Sequence, residues 1–213
     1  LGIVGDIGSA TKKINSINFT AFASFSASGN IYTTNGITTD ADGKGALVLS
    51  GSNTVVNSDI GSSGLNLDTI TINNPGTSLS FSGRIFIHNF TINNNTSATI
   101  ESSSVNSLGA LSLGLNSSFT VNDNINLSTL VTNSSSTIGI AAGKQISGTG
   151  DLTVDGNLNL GIDRSDSSTA LISSTDNISV NNGSTINFDY SDASYLKSAD
   201  AYNFLTTDAV LTA

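Results

Sequence analysis

A few clusters in the 213-residue sequence have residue types and spacings that could do chemistry. Asp151 and Asp155 lie four apart, with Leu152 and Val154 between them. If Leu152 and Val154 point inward on an extended strand, both carboxylates point outward and share a face. Glycoside hydrolysis needs two facing carboxylates, but no basic residue accompanies this pair. Asp163, Arg164, Ser165 and Asp166 form a mixed-charge, serine-rich corner, which equally describes a solvated turn. His88 is the single histidine and so the one imidazole base available to a serine nucleophile. It shares strand parity with Arg84 and Phe86, which places all three on one face. Gly61-Ser62-Ser63-Gly64 does not have the Gly-x-Ser-x-Gly spacing of a nucleophile elbow.

Metal and phosphate chemistry have less support. There is no cysteine and one histidine. No Asp-x-Asp-x-Asp-Gly loop, calcium-binding nonapeptide repeat or phosphate loop occurs. The expectation is a non-enzymatic chain with no catalytic, cofactor-binding or metal residues and no cofactor. Receptor-binding residues stay unassigned at this level. The Arg84-Phe86-His88 strand is the first place to look for a contact face, although a buried Phe86 among ordinary neighbours is the simpler expectation.

The elements that would position these residues repeat. Phe81, Ile100, Val121, Ile140, Leu160 and Val180 each close a stretch of alternating apolar and small polar residues, at spacings of 19, 21, 19, 20 and 20. Ile85, Val105, Ile125 and Ile146 form a second row at 20, 20 and 21. A drift-free period near twenty marks a solenoid with one coil per repeat. Each coil reads as three short strands separated by Asn, Asp, Gly and Ser turns, as in Ile70-Thr71-Ile72, Leu79-Ser80-Phe81 and Ile85-Phe86-Ile87. Connections of two to five residues are too short for helical crossovers. A β-sandwich would not hold a twenty-residue phase across five repeats. The predicted fold is all-β, a right-handed parallel β-helix with about 20 residues per coil, or roughly ten coils.

One β-helical segment is expected over 1–213, with less regular coils over 1–67, regular coils over 68–190 and a coil edge or cap over 191–213. Ile17, Ile37 and Val56 begin a ragged early row at spacings of 20 and 19. Phe19, Phe22 and Phe25 could make an exposed aromatic stripe, with a packed corner or cap the simpler reading. Tyr190, Tyr195 and Tyr202 group near the end, also as a cap or coil edge.

Composition agrees. Ser, Thr and Asn number 36, 25 and 26, yet charged residues are only 11%. Leu, Ile, Val and Phe are numerous enough to build a core. Seven cations against sixteen carboxylates, a net charge of −9, exclude a nucleic-acid footprint and a polybasic membrane surface. No run approaches the roughly 20 apolar residues of a membrane helix, so no direct membrane insertion is expected. The opening Leu1-Gly2-Ile3-Val4 is not a signal peptide, and a segment excised or processed from a longer chain is expected.

Three stretches carry a family resemblance: Val4-Gly5-Asp6-Ile7-Gly8 followed by Ile14-Asn15-Ser16-Ile17-Asn18-Phe19, the corner Ile146-Ser147-Gly148-Thr149-Gly150-Asp151-Leu152, and the run Tyr195 to Leu205. They resemble passengers of rickettsial surface-antigen autotransporters, the outer-membrane protein A and B group. The resemblance implies a virulence-associated passenger on the bacterial cell surface, at the extracellular face of the outer membrane, or secreted after processing. It also implies a role in adhesion to and invasion of host cells, with a host cell-surface protein and the passenger's own C-terminal β-barrel translocator as partners. The barrel's long amphipathic strands are absent from this chain. A structural spacer or surface-layer unit is the alternative, and a polysaccharide-active β-helix enzyme a more distant one.

Overall fold

The computed structural model describes residues 1–76, 78–101, 106–162, 170–189, 203–208 and 210–212. These are all β, without a helix, and wind as a parallel β-solenoid of about seven turns at roughly 21 residues per turn. That is fewer than the ten coils expected. A 13-stranded sheet runs from Gly2–Ile3 to Leu211–Thr212, an eight-stranded sheet from Ile31–Tyr32 to Thr185–Asp189, and a short third sheet pairs Ile17–Phe19 with Ile37–Thr39.

The core is built of stacked rows. In the large sheet Phe25, Leu47, Ile70, Phe90, Leu111, Leu130 and Leu152 lie one above the next. Their spacings are 22, 23, 20, 21, 19 and 22. In the second sheet Ile31, Val56, Phe81, Ile100, Val121, Ile140 and Leu160 do the same. Alternation sends every second side chain inward, and each covers its counterpart one turn away. Phe90 lies at the centre, edge-on to Phe81 at 5.6 Å and to Phe119 at 5.8 Å between ring centroids.

Three row assignments differ from the sequence expectation. Leu160 is covered by Phe188, not Val180. Val180 lies on Val154, 26 residues back, in the large sheet. The turn after Leu160 is longer, so a counted twenty lands on another inward residue by coincidence. Val56 stacks on Ile31 rather than Ile37, and Ile37 is followed by Ile60. In the second row the place over Ile85 and under Ile125 belongs to Asn106. Its side chain is 1% exposed, and its Oδ1 accepts the Ile85 N–H at 3.0 Å. Hydropathy favours the adjacent Val105, which lies outside the described residues.

Corners are held by side-chain amides and carboxylates. Asn93 donates to Asn73 at 2.8 Å and Asn116 to Asn95 at 3.1 Å, one turn apart in each case. Asn95 and Asn116 adopt φ of 59° and 53°, the left-handed region that Asn tolerates better than most residues. Strands merge across one edge of the solenoid. Phe86–Ile92 is continuous but turns two successive side chains, His88 and Asn89, outward. The next turn places Gly109 over His88, where a Cβ would come within 2.1 Å of the His88 carbonyl oxygen.

Candidate contact face on the early turns

The turns before residue 90 carry most of the charged side chains that meet one another. Asp59 and Arg84, 25 residues and one turn apart, form the tightest pair. Arg84 Nε and Nη2 donate to Asp59 Oδ2 at 2.9 and 2.6 Å, while the Arg84 backbone N–H donates to Oδ1 at 2.9 Å. Partial burial raises the Asp59 pKa, but the Arg84 hydrogen bonds and charge outweigh it, so the carboxyl lies below its ordinary value. The Asp59 hydrogen bond and charge raise Arg84 in return.

Asp42 and His88 are 46 residues apart, two turns, yet Asp42 Oδ2 and His88 Nε2 approach to 3.1 Å. Chiefly because the Asn66 backbone N–H donates to Asp42 Oδ1, and then because of His88, the Asp42 carboxyl lies below its ordinary value. The His88 ring lies over Gly43, where a Cβ would make only an ordinary contact at 3.7 Å and glycine instead meets the backbone φ of 74°. Lys44 pairs with Asp40 at 3.3 Å nearby. Arg84, Phe86 and His88 share the outer face as their parity requires, with Ile85 and Ile87 buried between them. Phe86 is half-buried, intermediate between a core residue and a contact residue.

A groove opens beside this pair. It has a volume of about 430 Å³ and crosses four successive turns, lined by Lys13, Asn35, Asn57, Asp59, Ser82 and Arg84 among others. Lys13 Nζ donates to Asn57 Oδ1 at 3.2 Å. Sequence reasoning singled out neither Lys13, Asn57 nor Asp59. The available signal was a spacing of 25, the length of that turn, which a search at twenty misses.

The sequence-nominated catalytic groups are not brought together. Asp151 Oδ1 accepts from the Asn177 side chain at 2.8 Å, and Asp155 Oδ1 from Asn181. Both carboxylates are corner acceptors for the following turn, at opposite ends of Leu152–Val154. Ser62 closes a tight exposed turn with Leu65 through hydrogen bonds of 3.1 and 2.9 Å, which is not a strand-to-helix elbow. Phe19 and Phe25 are buried while Phe22 is 84% exposed, so the three phenylalanines make no stripe. Gly45 receives the Phe19 ring at a distance no Cβ would permit. Asp163, Arg164, Ser165, Asp166, Tyr190, Tyr195 and Tyr202 lie outside the described residues. Among the described residues no group of three His, Cys, Asp or Glu could hold a metal ion. No family model, curated protein or solved structure matches the chain.

Proposed function

We propose that this chain is a non-enzymatic rod displayed outside a bacterial cell, a segment of an autotransporter passenger that contacts host cell-surface molecules through the outer face of its early turns. The observation that carries the reading is the concentration of interacting charge there: Lys13, Asp42, Asp59, Arg84 and His88 protrude from a closely packed solenoid. A stiff scaffold holds such groups in fixed geometry and limits the ordering cost of binding. The nominated carboxylates at Asp151 and Asp155 serve as corner acceptors, which favours scaffold over catalysis. The resemblance of Val4 to Phe19 and of Ile146 to Leu152 to rickettsial passengers supplies the setting.

A second reading, a spacer without its own ligand, is favoured by the central turns. Their corners show polar ladders such as Asn73–Asn93 and Asn95–Asn116, and exposed apolar side chains such as Leu115 and Val131 stand singly. Binding of labelled protein to cultured mammalian endothelial cells, beside a β-helix of matched charge, separates the readings. Saturable binding competed by unlabelled protein is expected. Binding equal to the control would favour the spacer.

A further inference from the structure

We infer that the groove between Lys13 and Arg84 binds an acidic oligosaccharide, with the two cations taking a carboxylate or sulfate and the surrounding amides and hydroxyls meeting sugar hydroxyls. The inference names a ligand class for the contact face proposed above and rests on that reading for its biological setting. The charge distribution points there first. The chain has seven Lys and Arg against sixteen Asp and Glu, yet two of the seven line one groove with a single carboxylate, Asp59. Both Asp59 oxygens are already engaged by Arg84. The groove is therefore locally cationic on an acidic molecule.

Donors remain for a ligand. Arg84 uses Nε and Nη2 on Asp59, and Nη1 makes no hydrogen bond among the described residues. Lys13 has three N–H donors and spends one on Asn57. A carboxylate or sulfate placed between them would gain charge-assisted hydrogen bonds from both. Asp59 holds the guanidinium in position, which lowers the cost of organising it on binding.

The floor is equally fixed. Ser58 Oγ accepts the Thr33 N–H at 3.0 Å, and Thr33 Oγ1 accepts the Gly36 N–H at 2.9 Å, both in buried positions. Gly36 has φ of 88°, and a Cβ on Gly83 would come within 2.1 Å of the Ser58 carbonyl oxygen. Backbone thus approaches backbone, and no side chain fills the space above. Four turns at about 4.8 Å spacing give a length of about 14 Å, room for more than one small anion. The lining holds no aromatic side chain on which a nucleobase could stack and no apolar pocket to seat a peptide side chain. Hydroxyls and amides remain, and they match a sugar.

Calorimetric titration of the purified chain with oligogalacturonate, heparin oligosaccharides and neutral dextran oligosaccharides tests this. Binding to one or both acidic ligands, weakened by salt, with dextran inert, is expected. A preference for oligogalacturonate identifies carboxylate as the recognised group, and one for heparin sulfate. Lys13→Gln and Arg84→Gln should each weaken binding about tenfold, the loss of one charge-assisted contact, with unfolding curves showing that both variants stay folded. Lys13 is exposed and tolerates the change even if Arg84→Gln disturbs Asp59. Absence of binding to both acidic ligands, equal binding to dextran, or affinity untouched by Lys13→Gln would overturn the inference. Endothelial-cell binding that persists without oligosaccharide binding overturns the inference alone. Oligosaccharide binding without cell binding supports it and rejects the adhesion reading.

Discussion

Two stretches of one solenoid solve the same packing problem differently. From Ile70 to Leu130 successive turns take 20, 21 and 19 residues, with inward rows of Ile, Leu, Val and Phe and outward rows of Ser, Thr and Asn. Before Ile70 the turns take 22 to 25 residues by the rows through Phe25 and Ile31, and the additional residues are outside the core. There the corners carry Lys13, Asp42, Asp59 and Arg84 beside amide pairs such as Asn35 to Asn15 at 2.7 Å. The core needs only three short inward strands per turn. Length beyond that is free to vary and is where side chains can be arranged for a partner.

The contrast can be broken most forcefully in the middle of the core. Phe90→Ala removes a fully buried ring and two edge-to-face contacts, and should cost about 4 kcal/mol in denaturant unfolding. Phe22→Ala on the early face, at 84% exposure, should change stability by less than about 0.5 kcal/mol. Comparable losses at the two sites would mean that Phe22 is covered in solution.

Next in size are the close approaches of backbone. Gly83→Ala on the early turns should destabilise by about 2 kcal/mol, because its Cβ would meet the Ser58 carbonyl oxygen and force the turns apart. Gly139→Ala in the central turns meets nothing nearer than 3.7 Å and should stabilise by about 0.5 kcal/mol by restricting the unfolded chain. Thermal unfolding of both variants checks the pair, and a destabilised Gly139→Ala would contradict the description of the central turns.

Acid should act on the early turns selectively. The folded-state pKa of Asp59 is lowered, so its contribution is fully present above the ordinary value of 3.8 and is lost as pH falls through the lower folded value. Asp59→Asn should therefore narrow the difference from wild type as pH drops through that window, as read by unfolding at several pH values. A difference that stays constant with pH would show that the Arg84 pair does not form in solution.

The smallest effect concerns the ladders. Gly76 has φ of 79°, a Cβ there has open space, and its N–H donates to the Asn95 carbonyl at 2.7 Å. Gly76→Asn should extend the Asn95–Asn116 column and shift stability by less than about 0.5 kcal/mol, in the favourable direction. A large loss on unfolding would show that the corner needs glycine.

The architecture was legible because alternation and a constant turn length write the core directly into the sequence: Phe81, Ile100, Val121, Ile140 and Leu160 do stack. Phase was lost wherever a turn lengthened, as at Val180 and Val56, since counting residues measures contour and not height along the axis. Asn106 was missed because hydropathy does not anticipate an amide that replaces a core contact with a hydrogen bond to the Ile85 N–H. The Arg84-Phe86-His88 face was legible from parity alone. Its partners Asp59 and Asp42 were not, because they are one and two irregular turns away.

The most direct test of the proposed division of labour is saturable endothelial-cell binding by three proteins at equal concentration: the wild-type chain, an early-face variant carrying Lys13→Gln and Arg84→Gln, and a central-ladder variant carrying Asn93→Ser and Asn116→Ser. Full binding by the central-ladder variant with loss in the early-face variant is the predicted result. Equal binding by all three, or loss confined to the central-ladder variant, would contradict it.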